Sequence, residues 1–248
     1  NISSRQKTEI KTLINLSPTG LATMKFHENV DPACWDKAKV KYFLEKYPSV
    51  IKGLKIRISK EIVGDLGIAV LEKAVALAAE LGTRLVVHVT NPPETMDKIV
   101  SMLRPGDVAA HCFHGTGHTI LGADGKVLPA VKAAQDRGVI MDAANGGNHW
   151  SFDVAEAALA EGFCPDIIST DITVKTLFRD PVFSLPFVMS KYLNLGMPLA
   201  EVVKRCTVLP AQAIGLDCEN GCLSIGRKAN VAIFKLLDKE TTFTDTQK

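Results

Sequence analysis

The chain has no long uninterrupted apolar run, no C-x-x-C pair and no excess of one charge sign. A membrane-spanning helix needs roughly eighteen or more apolar residues in succession, and no such stretch occurs. The polar opening Asn1-Ile2-Ser3-Ser4-Arg5-Gln6-Lys7 lacks the apolar core of an export signal. Lys and Arg total 29 against 27 Asp and Glu, a net charge of +2, and the basic residues are scattered. Nucleic acid and anionic membrane are therefore not expected partners. The six cysteines, at 34, 112, 164, 206, 218 and 222, read as free thiols in a reducing cytoplasm. Gly115-Thr116-Gly117-His118 is the nearest approach to a phosphate loop, yet neither glycine fingerprint of nucleotide binding follows a strand.

What is present is a repeating α/β pattern in a chain that is 46% apolar and 23% charged. Apolar strand-like runs cover 50–58, 83–90, 107–113, 138–144 and 166–172, spaced roughly thirty residues apart as βα units are. Helical patterns fill the gaps: 66–81 stopped by Gly82, one opened by Pro92-Pro93-Glu94 and running to Leu103 before Arg104-Pro105-Gly106, 129–137, and 153–161 stopped by Gly162. Further helices are predicted over 183–195, 198–208 and 210–214. Strands rich in Val, Ile and Ala on both faces belong to a parallel sheet covered by helices.

A length of 248 residues matches a (β/α)8 barrel, typically about 250. Only five strands are evident, so the pattern predicts a barrel lacking its first two or three strands, with Asn1–Ser4 as the tail of an earlier one. Residues 1–218 are assigned to this N-terminally incomplete barrel. Residues 219–248, with a turn and strand over Gly221–Phe234, are assigned to a segment of a small β-domain.

Each strand-like run carries a polar side chain that is costly to bury alone. Lys55, His88, His111 and Asp171 all fall late in their strands, and the carboxyl ends of barrel strands converge on one mouth. Neutral imidazole and carboxylate are ordinary ligands for zinc and similar ions. A buried lysine of lowered pKa can add carbon dioxide to become a carbamate, whereas its plainer role is a buried ion pair. Arg57 reads as a structural ion-pair partner, and Cys112 as a buried neighbour of His111 on the opposite strand face. Asn91, His114, Asn145 and His149 lie in loops at the mouth and are candidate substrate contacts. Gly146-Gly147 allows close backbone approach there.

The order Gly-Leu-Lys-Ile-Arg (53–57), Val-Val-His-Val (86–89), Arg-Pro-Gly-Asp-Val-x-x-His-Cys-Phe (104–113) and Pro-Asp-Ile-Ile-Ser-Thr-Asp (165–171) resembles the amidohydrolase superfamily, in its deacetylase-like branch. Leu185–Lys191, Thr207–Ala211 and Gly221–Phe234 are similar to the same branch. The resemblance implies a TIM-barrel metallohydrolase with two divalent ions, zinc by expectation. It makes Lys55 the carbamylated bridge, His88 and His111 ligands of one ion, and Asp171 a ligand that doubles as general base. The family's strand-one His-x-His has no match here, and Asn145 stands where some relatives carry His.

The implied reaction is hydrolysis of an acyl amide or ester of a small molecule by a metal-activated hydroxide. The alternatives are a cyclic amide hydrolase of dihydroorotase-like type and a non-catalytic barrel scaffold. A homo-oligomer is compatible with the fold class.

Overall fold

Along the central strands, residues alternate between two environments. Leu54, Ile56, Leu85, Val87, Ala109 and Met141 are completely buried, while the alternate positions Lys55, Arg57, Val86, His88, Val108, Ala110 and Asp142 share the opposite face by the two-residue period of a strand. Burying each large apolar side chain contributes about 1.5–3 kcal/mol.

The computed structural model describes residues 8–21, 28–216 and 220–246. Its elements run β1 (Thr12–Asn15), α1 (Lys37–Lys46), β2 (Ile51–Arg57), α2 (Lys60–Val63), α3 (Ala69–Glu80), β3 (Leu85–His88), α4 (Met96–Met102), β4 (Val108–Ala110), α5 (Pro129–Asp136), β5 (Ile140–Asp142), α6 (Phe152–Ala160), α7 (Leu185–Asn194), α8 (Leu199–Cys206) and α9 (Val208–Ala213). The five strands pair in parallel in sequential order, β1-β2-β3-β4-β5, with Ile167 adding a parallel bridge to Asp142. Sequential parallel strands with intervening helices form the wall of a (β/α) barrel.

Local sequence explains the helices. α3 buries Val70, Leu71, Ala74, Leu77 and Ala78, one stripe at helical spacing. α5 begins on Pro129, where a missing N–H costs nothing. The hydroxyls of Ser151 and Ser184 accept from the third residues of α6 and α7, which satisfies otherwise unpaired N–H groups. No helix among the described residues is long and apolar enough to cross a membrane.

Four features depart from the sequence expectations. β1 and α1 were not signalled: β1 is a four-residue strand without a buried residue, and α1, KAKVKYFLEK, buries only Val40. The 166–172 run forms a single bridge rather than a continuous strand: Ile167 and Ser169 still exchange backbone hydrogen bonds with Met141, Ala143 and Asn145, while on the other side the Ile168 N–H donates to the Arg205 carbonyl (3.0 Å) rather than to a further strand. Gly221–Phe234 forms no strand among the described residues, since no neighbouring strand pairs with it. Asn1–Ser4 lies outside the described residues. Beyond 234 the chain returns to the barrel: Phe243 packs on Phe187 (5.1 Å between centroids), and Asp245 and Thr246 bond to the backbone of Phe152 and Trp150.

One buried carboxylate ties two strand starts together. Asp107 is fully buried and accepts from the backbone N–H groups of Leu85 (2.8 Å) and Arg104 (2.9 Å) and from the Arg104 guanidinium (2.7 and 2.9 Å). Removing one member of such a pair leaves an uncompensated buried charge. Asp107→Ala is expected to cost about 3–5 kcal/mol in urea unfolding, whereas Lys98→Ala, at the exposed Glu94–Lys98 pair, costs less than about 1 kcal/mol.

Candidate metal centre

The parallel register sets Arg57, His88, Ala110 and Asp142 at one level across β2, β3, β4 and β5. Lys55 lies two residues below Arg57 on the same face. His111 follows β4 directly, and its left-handed backbone (φ 73°) ends the strand and turns the ring. Asn91, Ala144 and Asp171 share this uncommon conformation at φ 50°, 37° and 46°. Strained non-glycine residues clustered on loops beyond the strand ends are typical of functional sites.

Three imidazoles meet there. The rings of His88, His111 and His149 lie 4.1–4.8 Å apart between centroids, and one ring nitrogen from each lies within 4.8 Å of the other two. The His111 Nδ1 is 2.7 Å from the Ala144 carbonyl oxygen. A carbonyl only accepts, so Nδ1 carries the hydrogen and Nε2 keeps its lone pair. His149 Nδ1 is 3.0 Å from Thr90 Oγ1, and its Nε2 is 4.0 Å from Asp171 Oδ2. Burial holds His88 and His111 well below the usual imidazole pKa and lowers His149 to about 4. The rings are therefore neutral, the form that binds a metal.

The charged groups around them are perturbed mainly by burial. It lowers the Lys55 amine to about 8 against the opposing pull of Asp171 and Asp142. It raises Asp142 to about 6, although the Ser169 hydroxyl (2.8 Å) and the Ala144 N–H (3.1 Å) bond to that carboxylate. Asp171 is also raised by burial, with Lys55 and Arg57 opposing. Arg57 pairs with Glu28 at 3.1 Å, the structural pairing predicted for it.

The loop candidates diverge. His149 joins His88 and His111. His114 is buried, with Nδ1 accepting from Thr116 (3.3 Å) and Nε2 without a partner. Asn145 is fully buried with neither side-chain polar atom bonded, whereas Asn91 turns away to Glu61 (3.0 Å). Asp142, Thr90 and Glu28 were missed by sequence reasoning. Asp142 was findable, because it ends an apolar strand as Asp171 ends its run.

These residues suit a divalent ion: lone-pair nitrogens converge, one imidazole has its tautomer set by a carbonyl, and a carboxylate and a lysine of lowered pKa stand beside them. Two consequences are measurable. Gly146 (φ 58°) lets the loop pass, since a Cβ there would lie 2.5 Å from His149 Cδ2 and 2.9 Å from Asp171 Oδ2. Gly146→Ala is expected to lower stability by at least about 1 kcal/mol in urea unfolding. His114 and His149 protonate near 4 in the fold, against 6.5 for a free imidazole. The unfolded chain thus binds their protons first, and chelator-treated protein loses stability as pH falls from 6.5 toward 4. A urea midpoint independent of pH across that window would contradict this.

Comparison with known proteins places the arrangement. The sequence profile of the Amidohydrolase family matches residues 63–248. A deacetylase of Enterococcus faecalis is 32% identical over 248 residues, covering 99% of this chain and 66% of that protein. A solved structure described as an adenine deaminase superposes with a TM-score of 0.91 at 32% identity, over 99% of this chain and 66% of the other. Another, described as a dihydroorotase, gives 0.88 at 34% identity over 98% and 64%. The chain thus spans about two thirds of the length of the relatives it matches. Family profile and superposition agree with the parallel βα wall and its polar strand ends: this chain belongs to the amidohydrolase family.

Proposed function

We propose that the chain forms the catalytic barrel of a metal-dependent hydrolase that cleaves an acyl amide or ester of a small molecule, a deacetylase-like reaction. The observation that carries this reading is the clustering of the His88, His111 and His149 rings at the ends of β3 and β4, with Asp171 Oδ2 4.0 Å from His149 Nε2 and half-buried Lys55 on neighbouring β2. His88 and His111 would hold one divalent ion and Asp171 a second, with Lys55 the residue that would supply a carbamate ligand; zinc is the expected metal. An amine near pKa 8 is partly neutral at pH 7. Its lone pair can attack carbon dioxide, forming the N–C bond and releasing a proton to leave the carbamate anion.

Bound divalent ions supply charge to polarise the scissile carbonyl and to acidify a water. The Asp171 carboxylate takes the proton from the attacking oxygen and returns it to the leaving nitrogen or oxygen. Burial has already raised its basicity. That His114 Nε2 and the Asn145 amide are buried without partners supports a substrate-contact role for these two residues. The free thiols of Cys34, Cys112, Cys164 and Cys206 support a cytoplasmic setting.

A cyclic amide is the second reading, favoured by the superposition on a structure described as a dihydroorotase. A panel of N-acyl and cyclic amides, assayed after zinc, manganese or cobalt loading, separates the two. Asp171→Asn is expected to lower kcat by about 10²–10⁴ while metal content is retained in part. Folded, metal-loaded protein that hydrolyses no member of the panel would favour the scaffold reading instead.

A further inference from the structure

We infer that His149 is a third imidazole ligand, forming with His88 and His111 a three-histidine face on a single divalent ion. The inference rests on the metal-dependent reading above and changes its coordination shell, because His149 lies in the loop after β5 rather than at a strand end.

Three observations converge on this role. The donor nitrogens of the three rings lie within 4.8 Å of one another. Three imidazoles bound to one ion at about 2.0–2.1 Å stand roughly 3.3–3.5 Å apart at their nitrogens, so modest ring rotations close the shell.

The second observation is the ring's orientation. Thr90 Oγ1 lies 3.0 Å from His149 Nδ1 and Asp171 Oδ2 lies 4.0 Å from Nε2; with the Thr90 hydroxyl accepting the Nδ1 hydrogen, Nε2 carries the lone pair on the side of Asp171. An acceptor on the distal nitrogen is what metal-binding histidines commonly have, and the Thr90 oxygen takes that place here.

The third is rigidity. The next residue, Trp150, is fully buried and packs on Phe113, Phe152 and Tyr192. Its N–H donates to Thr246 Oγ1 (2.8 Å), and its carbonyl accepts from the Thr246 N–H (3.1 Å) and Oγ1 (2.9 Å). The loop that presents His149 is thus pinned on both sides of the peptide that follows it, as ligand placement requires.

The test is zinc affinity of the full chain by competition with a chromophoric chelator, with the optical spectrum of the cobalt(II) form as a second readout. His149→Ala is expected to weaken zinc binding by 100-fold or more, and Thr90→Val by about 10-fold. His118→Ala is expected to bind as the parent does. His149→Cys with cobalt(II) provides a direct signature, a thiolate-to-metal charge-transfer band absent from the parent protein. Zinc affinity of His149→Ala within about twofold of the parent, with no such band in His149→Cys, would overturn the inference while loss of binding in His88→Ala leaves the hydrolase reading intact. A parent chain that binds no divalent ion would overturn both.

Discussion

The parallel pairing of β2, β3, β4 and β5 is the constraint on which the site depends. It places Arg57, His88, Ala110 and Asp142 at one level, with Lys55 below and His111 just beyond. A slip of one residue in any strand would send its polar side chain among the apolar partners of Leu54, Val87 or Met141. The buried residues of the helical face therefore determine where the ionisable groups meet, and Asp107 holds the starts of β3 and β4 in that alignment.

Burial then sets the chemistry. The same desolvation that keeps His88, His111 and His149 neutral lowers Lys55 to about 8 and raises Asp142 to about 6. Neutral imidazoles, a partly neutral amine and carboxylates of raised basicity are the protonation states that metal binding, carbamate formation and proton transfer each need. In the proposed account a single physical cause thus prepares ligands, bridge and base, and the remaining exposed loops decide the substrate.

Much of this was legible before the fold was known. Lys55, His88, His111 and Asp171 stand out because each interrupts an apolar run, and a period-two reading gives the shared face of Lys55 and His88, which His111 joins through its left-handed backbone just past β4. Arg57 was read correctly as an ion-pair residue, although its partner Glu28 comes from a region with no periodic signal. β1 and α1 escaped because short or charged segments with few buried residues leave little pattern. The place of His149 was not readable as part of the histidine cluster, because its loop is held by Trp150 and Thr246, which are 96 residues apart. The strand predicted over 166–172 survives as a single bridge to Asp142, its outer edge bonded to Arg205 far along the chain instead of to another strand.

The most direct test of the central claim is crystal diffraction of the purified protein at energies spanning the zinc absorption edge. The account predicts anomalous density beside His88 and His111, further density beside Asp171, and electron density for a carbamate extending from Lys55 Nζ between them. An unmodified Lys55 paired with Asp171 or Asp142, and no anomalous density among the histidines in zinc-supplied crystals, would contradict it.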